Sequence, residues 1–106
     1  MVKVEEAIEF IRSKGHLKNW TDHEIHMSMH QAIRSCALTF TCDSEGKLDG
    51  ICWGKWTEIE HDKPTSLHVI YLAGTLGTFI NYLREFFPSC KKVTGERFGK
   101  LVNYEF

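Results

Sequence analysis

The chain has 106 residues, 42% of them hydrophobic and 25% charged, with a formal net charge of −1 at pH 7. This length accommodates one domain, residues 1–106, and leaves no room for a separate cofactor domain. No apolar run approaches the roughly 18 residues of a membrane span, and a nearly neutral chain has no general attraction to nucleic acid or anionic lipid. Glu5 and Glu6 stand where a signal peptide would be basic, so we expect a cytoplasmic protein without nucleic-acid or membrane partners.

Two helices are predicted at the start of the chain. Apolar residues recur at helical spacing in the first, at Val4, Ala7, Ile8 and Ile11. We expect this helix to cover about residues 2–14 and to end at Gly15. Thr21 and Glu24 have the spacing of a capping box, which predicts the start of the second helix. The predicted apolar face of that helix consists of Ile25, Met29, Ala32, Ile33 and Cys36.

From Ala37 the apolar period changes to two, which is typical of β-strands. A first strand to Cys42, a polar turn over residues 43–47 and a second strand over residues 48–59 predict an antiparallel hairpin. Trp53 and Trp56 have opposite parity on the second strand. An ideal strand would place them on opposite faces, so we expect either that one is exposed or that a bulge separates them.

The second half of the chain predicts a crossover between parallel strands. After a polar turn over residues 61–65, the strand Leu67–Leu72 is apolar on both faces, as in the centre of a sheet. A helix over about residues 75–87 follows, with an apolar face of Leu76, Phe79, Ile80, Leu83 and Phe87. It stops at Pro88, before a strand over residues 91–97 and a last segment over residues 101–106. The predicted fold is α/β (α+β), with two N-terminal helices and a mixed sheet of about four to five strands.

The turn between the central strand and its helix is a candidate anion site. A helix N-terminus offers unpaired N–H groups and a positive dipole end, which suit a phosphate. The backbone that would hold it is that of Leu72, Gly74, Thr75, Leu76, Gly77 and Thr78. The alternative is an ordinary strand-to-helix turn in which both glycines take a positive φ.

The succession of elements resembles the GCN5-related N-acetyltransferase (GNAT) superfamily. The sequences Leu67-His68-Val69 before the turn and Cys90–Lys100 after the helix resemble those of the small, shortened acetyltransferase-like proteins of bacteriophages. The resemblance implies acetyl-CoA as cofactor, bound where the two parallel strands splay apart, and the host cytoplasm as location. The family's pyrophosphate loop has Gln or Arg, two residues, Gly, one residue, then Gly or Ala. With Gly77 as its central glycine, Gly74 and Phe79 occupy the two other marked positions.

Acetyl transfer requires a base for the amine and an acid for the departing thiolate. His68 is the candidate base, and Tyr71 or Tyr104 is the candidate acid. A core role for His68 and a covering role for Tyr104 are the alternatives. Glu58 and Glu60 are alternative carboxylate bases, or belong to a solvated strand edge.

His23, His26 and His30 lie on one side of the second helix together with Met27. Without a His-Glu-x-x-His motif or paired cysteines, we interpret this side as a contact surface for a protein rather than a metal site. The sequence is therefore compatible with two functions. The first is N-acetyl transfer to an amine of a protein or small molecule, and the alternative is a catalytically inactive GNAT-like module that binds a host or virion protein. The oligomeric state stays open.

The four cysteines, Cys36, Cys42, Cys52 and Cys90, include no CxxC pair. Three of them fall in or beside predicted strands, where small apolar thiols usually belong to the core. In a reducing compartment we expect all four to be free, buried thiols rather than metal ligands or disulfides.

Overall fold

The computed structural model describes residues 3–74, 76–97 and 100–105, so the predicted site residue Thr75 lies outside the described residues. The elements in chain order are α1 (Val4–Ser13), α2 (Asp22–Arg34), β1 (Leu38–Cys42), β2 (Leu48–Glu60), β3 (Lys63–Ala73), α3 (Leu76–Phe86), β4 (Lys92–Arg97) and β5 (Lys100–Glu105). None of the helices in these ranges combines the length and the apolarity that a membrane crossing needs.

The five strands form one mixed sheet in the order β1-β2-β3-β4-β5. The pair β3–β4 is parallel, and the three other pairs are antiparallel. The predicted crossover and the central position of β3 are therefore confirmed, and the fold is α+β with a mixed sheet. The turn before β3 is shorter than expected, because His61 and Asp62 both have positive φ and close a two-residue hairpin.

Helices cover both faces of the sheet. On one face, α1 and α2 pack against Ile51, Trp53 and Tyr71; on the other, α3 packs against Cys52, Leu67 and Val93. This arrangement explains the two tryptophans, which lie on opposite faces as an ideal strand requires. Trp53 is fully buried and its indole nitrogen donates to Ser28 Oγ at 2.9 Å. The half-buried Trp56 donates to the Ser35 carbonyl at 3.0 Å, so neither tryptophan is exposed. The alternative, a bulge between them, is present in the β2–β3 ladder between Trp53 and Gly54, but its extra residue is on β3 and leaves the two tryptophans on opposite faces.

The capping box of α2 is confirmed. Thr21 Oγ1 accepts from the Glu24 N–H at 3.1 Å, and Glu24 Oε1 accepts from the Thr21 N–H at 2.9 Å. The predicted apolar face is only partly right, because Ile33 is exposed at the border of the stripe. Cys36 lies beyond the end of α2, at a positive φ of 57°, and is exposed as well.

All four cysteines are free, as predicted. Cys52 and Cys90 are buried beneath α3. Cys36 and Cys42 are exposed, because they flank β1 at the edge of the sheet. The expectation of four buried thiols is therefore wrong for these two.

Candidate functional site

The turn before α3 has the backbone that the sequence predicts at its first glycine only. Gly74 takes a positive φ of 115°, whereas Gly77 lies in the first turn of α3 without one. A Cβ on Gly77 would meet no heavy atom of the described structure within 4 Å. The first turn contains no acidic residue, and its leading N–H groups lack intrahelical acceptors. Among the described residues, therefore, no atom occupies the space beside Gly77.

A cleft of about 190 Å³ lies beside this turn, under the N-terminus of α3. Its walls come from the ends of β1, β2 and β3 together with Thr78. Binding sites for whole small molecules usually exceed roughly 300 Å³, so the cleft has room for one group of a larger ligand. Asp49 also lines it, and its carboxylate accepts from Thr41 Oγ1 at 2.6 Å. That hydrogen bond partly offsets the negative charge that an anion would meet.

The parallel strands β3 and β4 are paired over only part of their length. Pairing ends at His68 and Thr94, although β3 continues to Ala73 and β4 to Arg97. Past this point, the described part of β3 is paired with β2 alone. The two strands are therefore not hydrogen-bonded to each other over this interval, here called the opening, which begins where Gly95 still lies close to Val69 and extends along β3 towards the start of α3.

His68 lies at the last paired position before this opening. The side chain is half-buried, and its Nδ1 is 2.8 Å from Thr94 Oγ1. With the proton on Nδ1, the Thr94 hydroxyl accepts and the Nε2 lone pair is available to take up a proton. Thr94 was not predicted as a site residue, because its contact with His68 depends on the register between β3 and β4.

Tyr71 shares a face of the sheet with His68, although their separation of three residues predicts opposite faces. The reason is an extra residue on β3: Trp53 is opposite Tyr71 and Gly54 is opposite Val69, so the strand bulges between them. The Tyr71 hydroxyl lies 2.7 Å from Nδ1 of His16, a partner that sequence reasoning missed.

The environment of Tyr71 makes it a weak acid. Only 7% of the residue is exposed, and its ring lies 5.0 Å from that of Trp53. Burial raises the pKa of Tyr71 to about 12. A general acid is most effective with a pKa near the operating pH, so this phenol is better suited to holding the α1–α2 side of the sheet together than to proton transfer.

The structure does not bring Tyr104 to His68. Tyr104 is opposite Val93, which packs on the α3 side of the sheet, and cross-strand partners share a face. Its side chain is exposed there. The alternative bases Glu58 and Glu60 are exposed on β2 as it approaches the hairpin.

Two of the three histidines of α2 form a hydrogen-bonded pair. His26 Nε2 and His30 Nε2 are 3.3 Å apart, a hydrogen bond in which one ring donates and the other accepts. His23 is exposed, as is Met27 with 48% of its surface. Within residues 3–74, 76–97 and 100–105, no three His, Cys, Asp or Glu side chains are arranged to hold a metal ion.

No protein-family model matches this chain, and no curated protein matches it significantly.

Proposed function

We propose that this chain binds acyl-CoA in the opening between β3 and β4 and transfers the acyl group to an amine, as the GNAT resemblance implies. The observation that carries the proposal is the early end of the β3–β4 pairing, at His68 and Thr94, on a strand whose remaining residues lead into the N-terminus of α3. An extended ligand arm needs such an unpaired strand edge, and a pyrophosphate needs such a helix start.

The residues at the start of α3 fit the phosphate end of the cofactor. Gly74 has the positive φ that redirects the chain, and Gly77 leaves open space where a side chain would stand. The amide groups of the pantetheine arm would then pair with the free edge of β3 beyond His68. Acetyl-CoA supplies the activated acyl group when bound, and the chain supplies its position.

We assign the role of the base to His68. Its Nε2 would take the proton of the attacking amine, while the hydrogen bond between Nδ1 and the Thr94 hydroxyl fixes the orientation of the ring. We do not assign Tyr71 as the acid that protonates the departing thiolate, because burial raises its pKa to about 12. Tyr104 lies on the other face, which leaves water as the simplest proton donor.

The first experiment is a calorimetric titration of the folded protein with acetyl-CoA. A specific site should bind in the micromolar range, or about −8 kcal/mol, and a millimolar value would match adventitious phosphate binding. Gly77→Val should abolish binding, since the valine methyls would fill the space beside the first turn. Asn81→Val, on the exposed side of α3, is the matched control for placing a β-branched residue in this helix.

Turnover tests the base separately from binding. His68→Ala should leave the affinity for acetyl-CoA nearly unchanged and lower acetylation of amine substrates by roughly 10²–10⁴-fold. The acetylated amine should be quantified by mass spectrometry, because the exposed thiols of Cys36 and Cys42 react with thiol reagents. A flat titration with folded protein would remove the enzyme proposal.

The second candidate is the inactive GNAT-like module that binds a host or virion protein. It is favoured by the exposed Met27 beside the His26–His30 pair, since Met is enriched in protein interfaces. This candidate predicts no binding of acetyl-CoA. It also predicts that Met27→Glu, but not Gly77→Val, abolishes binding of this chain to its host or virion protein.

A further inference from the structure

The outer side of β1 exposes backbone hydrogen-bonding groups. Gly54 N–H donates to the Ala37 carbonyl at 3.0 Å, which makes Leu38 and Trp53 a non-hydrogen-bonded pair of the antiparallel ladder. The N–H and C=O groups of Leu38 and Phe40 therefore point away from β2. No described strand pairs with that side of β1.

Two of the features that normally prevent an edge strand from pairing with another chain, a charged side chain and a proline, are missing from β1, and its register irregularity lies at its end, between Thr41 and Cys42. Charged side chains, prolines and covering segments usually protect free edges. The sequence of β1, Leu-Thr-Phe-Thr-Cys, has neither charge nor proline. Phe40 is 46% exposed on it. An open apolar groove of about 330 Å³ runs beside the strand, lined in part by Ile33, Leu38, Phe40 and Tyr82.

We propose that β1 pairs with β1 of a second copy of this chain, antiparallel and about a two-fold axis at Thr39. In this register Leu38 is opposite Phe40 of the second copy, and the outward groups of both residues form the hydrogen-bonded pairs. The same residues form two apolar cross-strand pairs beside the groove. With a net charge of −1 per chain, the two copies repel each other little.

The two exposed cysteines fit the same register. Cys36 and Cys42 are equally far from Thr39 in sequence. Cys42 ends β1 and Cys36 lies two residues before the strand, so in this register each would be near the other residue of the second copy, at the two ends of the pairing. Within one chain they are separated by the length of β1 and the residues before it, roughly 15 Å, so a short linker favours the contact between copies. Crosslinking between them therefore reports on pairing between copies.

Sedimentation of the native protein tests the association. At about 100 μM the mass should be twice the monomer's 12.3 kDa, with dissociation on dilution through the micromolar range. A short bismaleimide should give a covalent dimer. Cys36→Ser and Cys42→Ser should each abolish that product, and mixing the two variants should restore it, because each mixed dimer regains one Cys36–Cys42 contact.

Two substitutions at Phe40 test the edge itself. Phe40→Pro removes an N–H that points away from β2, so the β1–β2 ladder is retained and the dimer should be lost. Phe40→Glu places a charge in the apolar cross-strand pairs and should also give a monomer. Ile59→Glu is the control, since Ile59 is 64% exposed and lies on β2 near the hairpin; it should remain a dimer.

The proposal is overturned if the native protein is monomeric at about 100 μM. A dimer that persists in folded Phe40→Pro and Phe40→Glu would also overturn it, as would crosslinking that survives in either single serine variant. Circular dichroism of each variant establishes that it is folded. If Phe40→Pro does not fold, Phe40→Glu and the cysteine mixture still decide the question.

Discussion

Gly54 is the position where β2 and β3 approach each other most closely, and we expect Gly54→Ala to destabilise the protein strongly. An added Cβ would contact the carbonyl oxygen of His68 more closely than real Cβ atoms approach any atom. It would also lie 3.0 Å from the His68 carbonyl carbon and 3.2 Å from Leu67 Cδ2. The main obstacle is the backbone of the central strand, which cannot rotate aside as a side chain can.

The size of the effect follows from this geometry. Overpacking usually costs about 1–3 kcal/mol, and a clash with backbone belongs at the upper end, about 3 kcal/mol. For a domain of about 100 residues, each kcal/mol lowers the melting temperature by roughly 4–5 °C. Gly54→Ala should therefore melt about 12–15 °C below the native protein. The displaced strand includes His68, so the proposed acetyl transfer should fall as well.

Two other glycines provide matched controls. A Cβ on Gly95 would meet Val69 Cβ at 3.5 Å, an ordinary contact, and a Cβ on Gly77 would meet open space. Gly95→Ala should be close to neutral, and Gly77→Ala should stabilise α3 by up to about 1 kcal/mol. Thermal and urea unfolding followed by circular dichroism would measure all three. A Gly54→Ala change within about 0.5 kcal/mol of the native protein would refute the account of β2–β3 packing.

The exposed thiols of Cys36 and Cys42 should react rapidly with a thiol reagent in the folded protein. The thiols of Cys52 and Cys90 should react slowly, because burial raises the pKa of Cys52 to about 12 and also raises that of Cys90. Denatured protein should show four thiols, and four rapid thiols in folded protein would contradict the packing beneath α3. Burial also raises the pKa of Tyr71 from 10.0 to about 12, so the unfolded chain loses this proton before the folded protein does. The contribution of Tyr71 to stability is therefore full below pH 10 and falls as the pH rises towards 12. Tyr71→Phe should lower the free energy of unfolding by about 1 kcal/mol at pH 7, because one hydrogen bond is lost. Chemical unfolding should show that this difference from the native protein narrows above pH 10, and a constant difference would contradict the burial of this phenol.

Local signals in the sequence predict the elements well. The capping box of Thr21 and Glu24 uses neighbouring backbone groups only, and the structure shows both of its hydrogen bonds. The crossover from β3 to β4 follows from the handedness and length of one strand-helix-strand unit. By contrast, the exposure of Ile33 and Cys36 depends on the edge of the sheet, which no pattern within α2 specifies.

The two tryptophans show a second kind of limit. Opposite parity placed Trp53 and Trp56 on opposite faces, and the inference that one would be exposed assumed that only one face is covered. The structure has helices on both faces, so each indole finds a hydrogen-bond partner, at Ser28 and at the Ser35 carbonyl. The alternation of β2 therefore predicts the faces of the two tryptophans correctly, whereas the presence of helices on both faces depends on long-range packing that no local pattern specifies.

The candidate site depends on register, which the sequence specifies least. One extra residue on β3, between Val69 and Tyr71, moves the Tyr71 hydroxyl to the face that carries His68. Thr94 contacts His68 on the same face because the register of β3 and β4 pairs these two residues. Since a shift of one residue reverses every side chain of a strand, the residues around a base on β3 are decided by bulges and strand ends rather than by local motifs. For this reason a substitution that alters the bulge, such as Gly54→Ala, tests the proposed chemistry of His68 without touching its imidazole.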